Sequence, residues 1–182
     1  MSFEQSETDR AMACMLMAGT IEAVQYKPPR VRVRSGDWVS SFLPWFSVAA
    51  GGVRHWRPPT VGEQAMVFSV SGQPEQGIVL AGLWTDQFPA NDDRENITAM
   101  DWQDGARMEY DHEAHKLKML LPPEGHAMLT IGGTTLEMKA GGVTLTNGTV
   151  KVVGGDVIAD GVSLKQHKHT EQGDFAETSS AH

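Results

Sequence analysis

Cysteine is almost missing from this chain. Cys14 stands alone in 182 residues, which excludes an intrachain disulfide framework and fits synthesis in a reducing cytoplasm. Basic charge is short too: 15 Lys and Arg against 23 Asp and Glu leave a net charge of −8. A protein built to hold a nucleic-acid backbone is ordinarily basic, so no nucleic-acid partner is expected. Long apolar runs are also missing. The stretch 11–18 covers eight residues, too few to cross a bilayer, and it follows Glu4, Glu7 and Asp9 where a secretory leader would be basic. There is no Gly-x-Ser-x-Gly turn, no phosphate loop and no carboxylate pair that stands out as an acid–base couple. The chain is therefore not read as an enzyme.

What is present is β-patterned sequence punctuated by glycine, with 19 Gly and 10 Met. Residues 1–18 read as a helical arm, with Ser6 at the cap, Glu7 and Asp9 in the first turn and Gly19 as the stop. Residues 19–88 alternate in short runs around Ile21–Val24, Val31–Arg34, Val39–Phe46, Ala65–Val70 and Gly77–Trp84, separated by turn residues. That spacing predicts a small closed barrel. Residues 89–105 carry no periodicity and read as a linker. Residues 106–164 begin with a hairpin, Ala106–Tyr110 and Lys116–Leu121, and pass into a repeat with glycines at 132/133, 141/142, 148, 154/155 and 161. Residues 165–182 form the end piece. The fold class is all-β.

The repeat is poorly suited to stand alone. Strands this short, with modest apolar side chains on alternate positions, bury little surface within one chain and gain stability by stacking on copies of themselves. Three intertwined chains would give a prism with an apolar interior and paired edges, Val143, Leu145, Val150 and Val152 inward and Thr144 and Lys151 outward. His167 and His169, two apart, would share one face of a strand. Three copies offer six imidazoles, a complete octahedral shell that suits iron, nickel or zinc and leaves no open position for water, so the metal would be structural. Lys168 would point away from the axis.

Other motifs carry less. His112, Glu113 and His115 lack the i, i+4 pair of a helical zinc site and read as turn residues. His55 and His126 are isolated, and His182 is terminal. Asp156 and Asp160 read as exterior, and Asp174 is a candidate for a further ion near the apex. Trp38, Phe42, Trp45, Phe46 and Trp56, with Arg54 and Arg57, fit barrel core and a subunit interface better than base stacking.

The order of these segments resembles the central spike, or baseplate assembly protein V, family of contractile phage tails and R-type pyocins. The resemblance rests on Ala18–Ala23, Arg30–Val33, Trp38 through Trp45, Pro59–Gln64, Gly77–Trp84, Asp104–Asp111, and Gln166–Thr170 with Gly173 and Asp174. It implies an OB-fold barrel near the tail tube, an intertwined homotrimeric triple-stranded β-helix, and an apex with one iron held by His167 and His169 of three chains. The implied function is mechanical: on sheath contraction the spike is driven through the outer membrane of the target cell. The implied location is the baseplate of a virion tail or pyocin particle, against tail tube and hub proteins. A type VI-like secretion spike, an OB-fold binding module on a trimeric stalk, and a metalloenzyme with an open coordination position are the other readings.

Overall fold

A computed structural model describes residues 3–169 and Gly173. The chain divides into two compact units, 1–95 and 96–182. It is mostly β, and among the described residues no helix is long and apolar enough to cross a membrane.

The first unit opens with helix α1 (Phe3–Ala13), followed by strand β1 (Leu16–Tyr26). The helical arm is therefore shorter than residues 1–18. Leu16, Met17 and Ala18 pair instead with Phe68, Val67 and Met66, and a ladder of tertiary hydrogen bonds overrides their helix propensity. Gly19 lies inside β1 and does not end a helix; a Cβ there would overlap the Arg34 carbonyl. The remaining strands are β2 (Pro29–Ser35), β3 (Trp38–Val39), β4 (Gln64–Phe68) and β5 (Ile78–Leu83), in the sheet order β3-β2-β1-β4-β5. Two short 3-10 turns, Val70–Gly72 and Pro74–Gln76, join β4 to β5. α1 rests on the first of them, where Gly72 has φ +67° and approaches the Ala11 backbone so closely that no side chain fits.

The open edges of this sheet are closed by the segment after β3. Leu43 exchanges both backbone hydrogen bonds with Val31 at 2.8 Å. One step on, Phe46 N–H donates to Val79 O at 2.8 Å and Val79 N–H to Pro44 O at 2.9 Å. One stretch of chain thus pairs with β2 on one side and β5 on the other, which makes a barrel. Its interior is Ile21, Val31, Val33, Leu43, Ala65, Val67 and Val79, all buried. Val31 and Val33 alternate with the outward Arg30, Arg32 and Arg34, as a half-buried strand requires.

The second unit starts inside the stretch read as a linker. β6 (Ile97–Asp101) pairs with β7 (Arg107–Asp111), which pairs with β8 (Lys116–Leu120). A second three-stranded meander follows: β9 (Ala127–Ile131), β10 (Thr134–Lys139) and β11 (Gly142–Thr146), with β10 central. A last small hairpin joins β12 (Ile158–Ala159) to β13 (Val162–Ser163). Its turn is Asp160-Gly161, with φ +48° and +84°, the signature of a tight hairpin.

Directly opposed residues of an antiparallel pair share a face, so each meander has two unlike sides. In the first, Met100, Met108 and Met119 are in line, with Tyr110 opposite Leu117 on the same face. The other face carries Arg107 bonded to Asp101 at 2.9 Å and to Glu109 at 3.0 Å. In the second, Leu129, Leu136 and Leu145 are in line beside Met138 and Val143. Thr130 and Thr135 share a 3.0 Å hydrogen bond on the opposite side, where Glu137 also lies. Among the described residues, none of the side chains on these apolar sides is buried. Among the described residues of this unit, Ala106 is the one buried hydrophobic side chain.

Candidate functional site

The end of the described chain is organised by one carboxylate. Asp156 Oδ1 accepts the backbone N–H of Val157 at 2.8 Å and of Lys165 at 3.2 Å, and its Oδ2 accepts the Ser163 hydroxyl. Ser163 Oγ in turn accepts the N–H of Gln166 at 2.9 Å. Those bonds to the ionised form, the Ser163 hydroxyl first, hold the Asp156 carboxyl below the usual carboxylate range. The chain after β13 consequently turns and does not continue as a strand.

His167 sits on that turn. Its backbone N–H donates to Ser163 O at 3.0 Å. Its ring Nδ1 lies 3.0 Å from both Ser163 O and Leu164 O. Carbonyl oxygens only accept, so Nδ1 carries a proton, and in the neutral ring the lone pair is then on Nε2. The His169 ring stands edge-on to that of His167, centroids 5.2 Å apart at 89°. The two rings are neighbours at a turn and not along the strand face that their spacing implied. Two imidazoles fit a metal as a partial donor set. Among the described residues no group of three or more His, Cys, Asp and Glu side chains gathers in one chain. Asp174, Thr170 and His182 lie outside the described residues.

His112, Glu113 and His115 fall in the β7–β8 turn, where Asp111 Oδ1 accepts the N–H groups of Glu113 and Ala114 at 3.0 and 2.9 Å. His126 is not isolated: its Nδ1 is 2.9 Å from Glu137 Oε1, and Lys139 Nζ reaches Oε2 at 3.3 Å. These two partners, His126 first, lower the pKa of the Glu137 carboxyl. The sequence reads Asp156 as exterior and His126 as isolated, and shows neither the Asp156–Ser163 nor the His126–Glu137 pair, because each partner is seven or more residues from the other and only hairpin register unites them.

On the barrel, Trp38 and Trp45 pack against the core. Trp45 meets Trp56 at 5.8 Å between centroids, Phe46 meets Phe68 edge-on at 6.4 Å, and Arg32 lies 4.6 Å over the Phe42 ring. Arg57 is paired to the buried Glu63 at 2.6 Å. The loop 47–57 stands between two open cavities of 420 Å³ each, which share Trp45, Ser47 and His55 in their walls. Val48, Val53 and Trp56 on it are exposed.

Residues 17–84, the barrel from β1 to just past β5, match the family described as the type VI secretion system/phage-baseplate injector OB domain. The chain is also 26% identical over 193 aligned positions, covering 90% of each chain, to the "Spike protein" of Escherichia phage P2. The barrel of this protein thus resembles the phage-baseplate and type VI injector OB domain, in a chain that is similar to a phage spike over nine-tenths of its length.

Proposed function

We propose that the protein is the central spike of a contractile tail, a homotrimer that pierces the outer membrane of the target cell when the sheath contracts. The observation that carries this reading is that the second unit has, among its described residues, one buried hydrophobic side chain, Ala106. Its two meanders each present an apolar side, Met100/Met108/Met119 and Leu129/Leu136/Leu145, and among the described residues none of these side chains is buried. Water-exposed apolar faces of this kind mark an assembly surface. Burying a leucine or methionine side chain contributes about 1.5–3 kcal/mol, so three copies that turn these sides inward stabilise one another substantially. In a triple-stranded β-helix of this design no strand can leave without breaking pairs to both neighbouring chains, which resists unravelling under axial load.

The apex fits the same reading. Three copies of His167 and His169 would supply six imidazole nitrogens to one iron, and the bound ion would cross-link three chain ends where packing is thinnest. The OB domain would seat the spike under the tail tube and hub, with the exposed loop 47–57 as a contact. The family description includes type VI injectors, so a secretion spike is the second reading; the phage relative favours the tail.

Cryo-electron microscopy of the particles tests the role. Density for this chain on the particle axis at the distal end of the tail is expected. Particles whose distal axis holds another protein would overturn the assignment.

A further inference from the structure

The geometry points to Asp156 and Ser163 as positioning residues that fix the ring of His167, with its Nε2 lone pair presented for coordination. Every backbone N–H from Leu164 to His167 is held. Leu164 donates to Val157 O at 2.8 Å, Lys165 to Asp156 Oδ1 at 3.2 Å, Gln166 to Ser163 Oγ at 2.9 Å and His167 to Ser163 O at 3.0 Å. Three of these four acceptors belong to Asp156 or Ser163. The same Ser163 carbonyl that takes the His167 amide also takes its Nδ1–H at 3.0 Å. Asp156 therefore acts at one remove: it holds the Ser163 hydroxyl, which leaves Ser163 Oγ as the acceptor for Gln166 and the Ser163 carbonyl aimed at the imidazole.

The consequence is tautomeric. A free neutral imidazole favours the proton on Nε2, the nitrogen that would have to bind metal. A carbonyl fixed at Nδ1 reverses that preference and orients the ring before any ion arrives, as outer partners of histidine ligands commonly do. Asp156 lies well before the histidines in sequence, and the Asp160-Gly161 turn brings it back beside them. This inference rests on the proposed metal role of His167, and it has a signature that needs no metal.

The test uses full-length protein labelled with ¹⁵N-histidine, stripped of metal, at about pH 8, where imidazoles are neutral. His167→Gln identifies the signal. The wild type is expected to show protonated Nδ1 and bare Nε2 at His167. Asp156→Asn, which cannot accept from Ser163 at the substituted nitrogen, and Ser163→Ala are expected to move His167 toward the Nε2–H tautomer while the mass of the assembly is unchanged. Ser163→Thr, which keeps the hydroxyl, is expected to restore the wild-type spectrum. In chelator competition, the Asp156→Asn and Ser163→Ala variants should bind iron about 10–100-fold more weakly. An unchanged tautomer in both Asp156→Asn and Ser163→Ala would overturn the positioning role. A wild type that takes up no iron while showing the expected tautomer shift would overturn the metal reading and support the positioning.

Discussion

Leu136 stands directly opposite Leu145 across the β10–β11 ladder, and neither side chain is buried. Leu129 faces Leu136 from the other neighbour, so one side of the meander is a continuous apolar strip. A chain that placed these residues in register without a use for them would carry an aggregation hazard. In the proposed trimeric spike they would form the inside of the prism.

That relationship gives the first prediction. In an isolated chain Leu136→Asp replaces an exposed side chain and would change stability by about 0.5 kcal/mol or less. Within a trimer it buries three carboxylates around one axis, which is far more costly. Size-exclusion chromatography with light scattering is expected to show Leu136→Asp as a single chain and Thr144→Asp, on the opposite face beside Glu137, as an intact trimer.

The double substitution His167→Ala with His169→Ala should remove the metal and leave assembly intact, because the apolar strips lie elsewhere. Elemental analysis is expected to find no iron in the variant. Full metal content in the double variant would place the site on other residues.

The barrel should fail independently. Leu43 is 2% exposed and belongs to the segment that closes the sheet. Leu43→Ala removes core volume and is expected to cost about 2–5 kcal/mol. Thermal unfolding should show the barrel transition shifted down with the three-chain mass retained.

Acid should weaken the second unit through Glu137. Its carboxyl is held below the ordinary range by His126 and Lys139. A group whose folded-state pKa is depressed contributes stability above its unfolded value, about 4.3, and loses it as pH falls through the folded value. The unfolding midpoint in denaturant is therefore expected to fall as pH drops below about 4.3, and Glu137→Gln should flatten that slope. His126 and Lys139 are exposed and Glu137 partly so, and the effect will be small and weakened by salt.

Much of the fold is legible from pattern. Val31 and Val33 between arginines give β2, and the glycine pairs and Asp160-Gly161 give the turns, because period-two alternation and left-handed backbone have direct residue signatures. The start of β1 does not. Leu16 and Met17 are good helix formers, and only pairing with β4 makes them a strand. β6 was hidden likewise, since Ile97–Asp101 is a strand by virtue of Arg107–Asp111 beside it. Of the candidate site, His167 and His169 show in the sequence as a pair, while their support by Asp156 and Ser163 does not. Its one sequence signal is the Asp-Gly turn, which sets the register that returns residues 163–167 toward residue 156.

The central claim is a threefold, metal-tipped spike, and native mass spectrometry of the untagged protein purified without chelator tests it most directly. The expected mass is three chains plus one iron. A single-chain mass, or one metal for every chain, would contradict the account.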